Sequence, residues 1–147
     1  MTIRCEIVSQ DRTVFTGDVD IVVLPGAAGE MGILSKHAPV LTTLKYGIIK
    51  VRKGSNEEVF TVAGGVAEVQ PDLVTILADR AENIQEIDVN RAEAARKRAE
   101  EYLAKGIVPA DPDRYLVMEA ALRRSNLRLD AVRRYRKGGT RYPGLEK

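Results

Sequence analysis

The sequence predicts a flattened β-sandwich or barrel of roughly ten short strands followed by an antiparallel helical hairpin. Three observations carry that reading. Over residues 1–86, alternating or β-branched runs are cut every few residues by Gly, Pro, Asn or Asp, the punctuation of tight turns between strands. At Asp88 the hydrophobic spacing lengthens from two residues to between three and four, the repeat of a helix. The charge changes sign at the same place. Residues 1–86 hold 8 Lys/Arg against 12 Asp/Glu, whereas residues 87–147 hold 15 against 9, and 11 of those 15 cations are arginine.

Taken in order, residues 1–9 place Ile3, Cys5 and Ile7 on one face of a first strand, and Gln10-Asp11-Arg12 turns the chain. Residues 13–15 open a second strand, and residues 18–24 form a β-branched run that stops at Pro25-Gly26. The glycine-rich stretch 26–32 reads as a tight crossover needing a positive φ. Residues 40–44, 47–52, 57–63, 66–69 and 73–78 follow as strands, with breaks at Tyr46-Gly47, residues 53–56, Gly64-Gly65 and residues 70–72. Gly64-Gly65 reads as a hairpin turn. No helical run in this half is long enough for a βαβ unit, which excludes a dinucleotide-binding fold.

Asp88 is a good N-cap, and Ala92, Ala95, Ala99, Tyr102 and Leu103 then recur at helical spacing until Gly106 and Pro109 stop the helix. Asp111-Pro112 starts a second helix, with a capping carboxylate followed by a proline at the first helical position. It runs to about Tyr135 and places Leu116, Ala120, Leu127 and Ala131 on one stripe, interrupted by Arg123, Arg124 and Arg128. Alanine contacts bury little area, so this hairpin is expected to be marginal alone and able to leave its docking place. The expected organisation is a sandwich over residues 1–86, a helical arm over 87–138 and a disordered tail over 139–147.

Composition excludes several function classes. At 147 residues and 44% hydrophobic content the chain is an ordinary soluble protein of one domain with an appendage. Aromatics make up 5% with no tryptophan, too few for stacking nucleic-acid bases, and the arginines are interleaved with glutamates. The one cysteine, Cys5, excludes an internal disulfide and reads as a small hydrophobe of the first strand. No stretch has the length of a membrane span, and the N-terminus lacks the pattern of a leader. Catalysis finds no nucleophile elbow, no metal-ligand cluster and no phosphate-binding loop, and the single histidine, His37, stands in a loop before Pro39. The chain is therefore expected not to be an enzyme.

The arginines carry the strongest signal. Arg91 and Arg98 lie seven apart on one face of the first helix, and Arg124 and Arg128 lie four apart on the second. In an antiparallel hairpin they converge, with Glu82 and Asp88 nearby, and forked guanidinium donors suit the oxygens of a polyanion. The bland alternative is a solvated surface whose arginines pair with Glu93, Glu100, Glu101 and Glu119.

The run LPGAAGEMGILSKHAPVLTTLKYGIIKV (residues 24–51) resembles the signature of the epsilon subunit of rotary ATP synthases. VAGGVAEV (62–69), VTILADRAE (74–82) and EIDVNRAEAARKRAE (86–100) resemble the same family in the same order, so the likeness spans about residues 2–135. The resemblance implies a rotor component of the central stalk, with partners in the gamma subunit, the c-ring and the alpha and beta catalytic subunits. The protein would lie peripherally at the cytoplasmic face of the membrane, held there only through the complex. The hairpin would be a mobile arm that inhibits ATP hydrolysis.

In some bacterial members the folded arm binds ATP through an Ile/Leu-Asp-x-x-Arg-Ala motif, which stands here as Ile87-Asp88-Val89-Asn90-Arg91-Ala92. The other family contacts fall on Glu82, Arg98, Arg124 and Arg128, so ATP is expected as a regulatory ligand and no cofactor is obligatory. Extended, the arm would offer Arg123, Arg124, Arg128, Arg133 and Arg134 to the catalytic head. Glu30, Met31, Ile33, His37 and Ala38 are expected to face gamma or the c-ring. The connector GIVPADPD departs from the family pattern. The alternatives are a stalk subunit without nucleotide sensing and, remotely, a basic nucleic-acid-binding module.

Overall fold

The computed structural model describes residues 1–106 and 111–136, and within these the chain divides into two compact units, parted between Asn83 and Ile84. That division falls three residues before the expected end of the sandwich at 86.

The first unit is a single sheet folded on itself. Its strands are β1 (Ile3–Val8), β2 (Thr13–Val19), β3 (Ile21–Gly26), β4 (Gly29–Ile33), β5 (Val40–Lys53), β6 (Asn56–Val69), β7 (Leu73–Ala78) and β8 (Ala81–Asn83). Their spatial order is β2-β1-β7-β6-β5-β3-β4, with β8 added beside β6, and every pairing is antiparallel except β1 with β7. The described residues hold eight strands where roughly ten were expected: two expected turns lie inside strands, while β4 and β8 were not read as strands. Gly64-Gly65 does not form a hairpin. β6 runs through it, pairing with β8 over Phe60–Val62 and with β7 over Gly65–Val69, so the strand crosses from one layer to the other at this point.

Glycine is required there. Gly65 has φ +133°, and a Cβ on it would stand 2.3 Å from the Leu77 carbonyl oxygen. Tyr46-Gly47 likewise lies within β5, where a Cβ on Gly47 would meet the Pro25 ring at 2.8 Å. Conversely, the single strand expected over 18–24 is split at Asp20, whose carboxylate accepts from the Gly54 amide at 2.7 Å. The glycine-rich crossover is a tight β3–β4 hairpin, with Gly26 paired to Gly29 and Gly29 at φ +140°.

Alternation places Ile3, Cys5, Ile7, Val22, Leu24, Ile49, Val74 and Ile76 between the layers, all at most 1% exposed. Phe60 of β6 meets Phe15 of β2 edge-to-face at 5.7 Å between ring centroids. Each fully buried side chain of this size contributes about 1.5–3 kcal/mol. Cys5 is one of them, and burial pushes its thiol pKa up to about 12, with Glu6 adding to the shift.

The second unit begins with a 3-10 turn (Ile84–Glu86) and continues as α1 (Val89–Ala104), α2 (Pro112–Ala131) and a π-helical turn (Val132–Arg136). Its ends follow the local chemistry. The Asp88 carboxylate accepts from the Arg91 amide at 3.1 Å, and Asp111 accepts from the Arg114 amide at 3.2 Å. Gly106 takes φ +79° and donates to the Leu103 carbonyl at 3.0 Å, the left-handed stop expected of it.

The inner face of α1 is the expected one, with Ala92 and Ala99 buried, whereas the α2 stripe holds at Ala131 and departs at Leu116. Within α1 the buried residues are Ala92 and Ala99, and within α2 they are Ser125 and Ala131. Leu116, expected on that stripe, is 63% exposed and Val117 beside it is 60% exposed. The packed seam of α2 instead runs through half-buried Met118, Ala121 and Leu122 to Ser125, where small side chains let the helices approach. Ser125 satisfies its hydroxyl by donating to the Ala121 carbonyl at 2.8 Å. The inter-helix residues 107–110 and the expected tail at 139–147 lie outside the described residues.

Candidate functional site

The hairpin has two flanks, and they differ chemically. At about 100° per residue, Arg91 and Arg98 fall on one side of the buried Ala92–Ala99 line, while Val89, Glu93 and Arg96 fall on the other. In α2 the same step puts Arg124 and Arg128 on one side of Ser125, and Asn126 and Asp130 on the other. A groove of about 750 Å³ joins Val89, Glu93 and Arg96 to Asn126, Asp130 and Arg133, so these residues share one flank. Arg91, Arg98, Arg124 and Arg128 therefore share the opposite flank.

The helices are antiparallel, since Arg136 in the turn that follows α2 bonds to Ile84 and Ile87 just before α1. Arg91 and Arg98 are exposed, and Arg124 and Arg128 are half-buried. Burying part of an arginine stem against the seam holds the guanidinium in place and lowers the entropy lost when it engages an anion.

The remaining residues singled out by sequence separate into groups. Asp88 is exposed and uses Oδ1 as the α1 cap. Ala92 is 0% exposed, so its side chain is not part of a ligand-contacting surface. Glu82 lies half-buried in β8, in the first unit. Arg123, Arg133 and Arg134 are exposed, and the last two share the Asp130 carboxylate.

In the sandwich, Glu30 and Ala38 are exposed and Met31 packs partly against the core. Ile33 is 0% exposed, which corrects its expected role as a partner contact: it faces inward because β4 alternates and pairs Ile33 with Val22 of the core. His37 is half-buried, and its Nδ1 donates to the Ala38 carbonyl at 2.8 Å. Lys36 before it adopts φ +66°, the left-handed region that a lysine seldom takes.

Sequence reading missed three features: Ser125, the mixed-charge groove and Arg136. The Ala121–Ser125 spacing was a signal for a small-residue seam. Arg136 carried none, because its burial depends on a return contact 49 residues back. Among the described residues no group of three or more His, Cys, Asp or Glu could hold a metal ion, and no helix is long and apolar enough to cross a membrane.

A small β-sandwich followed by a thin, arginine-flanked helical hairpin defines a class of two-unit chains in which one unit carries the core and the other the charge. Two family models divide the sequence in the same way. The ATP synthase delta/epsilon chain beta-sandwich domain matches residues 2–84, and the long alpha-helix domain of the same chain matches residues 85–133. The chain belongs to the ATP synthase delta/epsilon family.

Relatives agree over nearly its whole length. The ATP synthase epsilon chain of Dehalococcoides mccartyi is 44% identical over 135 residues, covering 92% of this chain and 95% of that one. That of Bordetella parapertussis is 43% identical over 140 residues, covering 95% and 98%. Among solved structures, a chain of the Euglena gracilis mitochondrial ATP synthase, OSCP/F1/c-ring, matches with a TM-score of 0.73 at 23% identity, covering 89% of this chain and 81% of that one. This likeness shows the shared fold. The family inferred from residues 24–51 and 62–100 is the family found.

Proposed function

We propose that the chain is a non-catalytic rotor subunit of the central stalk of a proton- or ion-translocating ATP synthase. In this reading the sandwich couples the gamma subunit to the c-ring, and the hairpin inhibits ATP hydrolysis by the alpha and beta subunits, with ATP as a regulatory ligand. Two solved structures of similar fold come from assemblies described as F1/c-ring and as central stalk and c-ring, which supports the partners named. The c-rings of those assemblies support a peripheral place beside the membrane, held there by the complex, and in this reading the side is the cytoplasmic one.

The observation that carries nucleotide sensing is the single flank of Arg91, Arg98, Arg124 and Arg128 beside the Ile87-Asp88-x-x-Arg91-Ala92 motif. Guanidiniums at both helices suit a triphosphate, whose charge they would share across the hairpin and so hold it closed. Asp88 would accept from the donor groups of the base and sugar. Arg124 and Arg128 also belong to the set that would meet the catalytic head once the arm extends, together with Arg123, Arg133 and Arg134. Two anionic partners then compete for the same cations, and the ligand favours whichever state it binds better.

Moving the arm from 1:99 to 99:1 takes about 5.5 kcal/mol of differential binding. ATP at a hundred times its dissociation constant supplies about 2.7 kcal/mol. ATP in this account biases the arm and does not move it alone.

Calorimetric titration of the full chain with ATP, using GTP as control, tests the sensing. Binding that is selective for ATP and abolished in Arg91→Ala or Arg128→Ala supports the reading. No binding at millimolar ATP leaves a stalk subunit without nucleotide sensing. For the inhibition, removing residues 87–147 should release ATP hydrolysis by the assembled catalytic head, and unchanged hydrolysis would contradict the role given to the arm.

A further inference from the structure

Arg136 is the one buried charged side chain among the described residues, at 9% exposure. Its Nη2 donates to two main-chain carbonyls, those of Ile84 and Ile87, the latter at 3.0 Å. Both carbonyls belong to the short segment that precedes α1, and both residues are themselves buried, at 2% and 4% exposure. Arg136 closes a π-helical turn, a form that shifts the helical register by about one residue and recurs at functional positions. Its fork thus joins the last described turn of the helical unit to the first.

We propose that Arg136 is a latch that holds the helical unit closed by bonding the turn after α2 to the carbonyls of Ile84 and Ile87. The physical argument is one of complementary needs. A buried guanidinium requires acceptors, and here they are carbonyls rather than a carboxylate. The carbonyl of Ile84 lies in a single 3-10 turn and that of Ile87 just ahead of the Asp88 cap, so neither lies within the body of α1. Closure satisfies all three groups at once, and opening returns all three to water while uncovering Ile84 and Ile87.

The latch also acts at the end of the hairpin away from the α1–α2 connection. There it resists separation of the helices with the most leverage. Nucleotide is not needed for this contact, so the inference stands apart from the ATP reading.

The test is native-state proteolysis of the full chain, without nucleotide, by a protease that cuts after glutamate. Glu93, Glu100 and Glu119 report opening of the helices, and Glu57 and Glu58 in β6 report opening of the sandwich. Arg136→Met keeps an apolar stem and removes the donors. It should speed cutting in the helices about tenfold while leaving cutting in β6 unchanged.

Arg134→Met removes a neighbouring exposed arginine that pairs with Asp130, and it should cut at the wild-type rate. If Arg136→Met unfolds the whole chain, β6 cutting will rise too, and Arg136→Lys then decides. Lysine keeps the charge but lacks the fork, so faster helix cutting with an intact sandwich again supports the latch. Wild-type rates in the folded Arg136 variant, or equal acceleration in Arg134→Met, would overturn it.

Discussion

The sandwich and the hairpin bury different kinds of side chain. Every one of the largest fully buried side chains, including Phe60, Ile7, Leu24 and Ile76, lies in the first unit. The helices of the second unit bury Ala92, Ala99, Ser125 and Ala131. At about 25 cal/mol per Å² of apolar surface, a seam of alanines and a serine yields a fraction of what isoleucine and phenylalanine yield. The hairpin's surface ion pairs do not close the gap. Arg96–Glu100 at 3.9 Å and Arg134–Asp130 at 3.4 Å join side chains exposed by 42% or more, and such pairs contribute about 0–1 kcal/mol. The helices of the second unit therefore have less apolar burial to hold them than the sheet has, and they are expected to open first.

Substitutions can break or sharpen this contrast. The largest effect is expected from Phe60→Ala, which empties the centre of the sandwich and removes the ring contact with Phe15. It should cost about 3–5 kcal/mol, read as a lowered denaturant midpoint of the sheet. Gly65→Ala should come next, at about 3 kcal/mol, since it meets both an unfavourable φ and the Leu77 carbonyl. A loss under about 1 kcal/mol would mean β6 can bend elsewhere.

In the hairpin, Ala99→Leu overpacks the seam and should cost about 1–3 kcal/mol, seen as faster amide exchange in α1 and α2 with the sheet unchanged. Asp88→Ala removes the α1 cap and should cost about 1 kcal/mol by the same measurement. The smallest effect is expected from Leu116→Ser, within about 0.5 kcal/mol, because Leu116 is exposed. A larger loss there would restore the stripe that the sequence suggested.

Which features were legible in sequence follows from how far their causes lie along the chain. β7 was read with its observed bounds, and the Asp88, Gly106 and Asp111-Pro112 helix ends were read correctly, because a strand's alternation and a helix cap are local chemistry. Gly64-Gly65 was misread because two glycines look alike in a turn and in a bent strand. The difference is made by Leu77 and Ala78 of β7. β8, three residues long, exists only by pairing with Phe60–Val62.

On α2, Ala131 was read correctly as buried and Leu116 was misplaced for a related reason. Periodicity alone allowed Leu116 or Ser125 on the inner face, and the close approach of Ala92 and Ala99 selected the smaller residues. The arginine flank was legible from spacing, while Arg136 was not, since nothing local distinguishes it from Arg133 or Arg134.

The most direct test of the contrast is native-state hydrogen exchange on the full chain at increasing low denaturant. The account predicts two opening reactions, with amides of α1 and α2 exchanging at least a hundredfold faster than those of β5, β6 and β7. The helical set should merge with the sheet only near the global transition. Equal protection of helices and sheet at every denaturant concentration would contradict it, showing that anchor and arm unfold as one body.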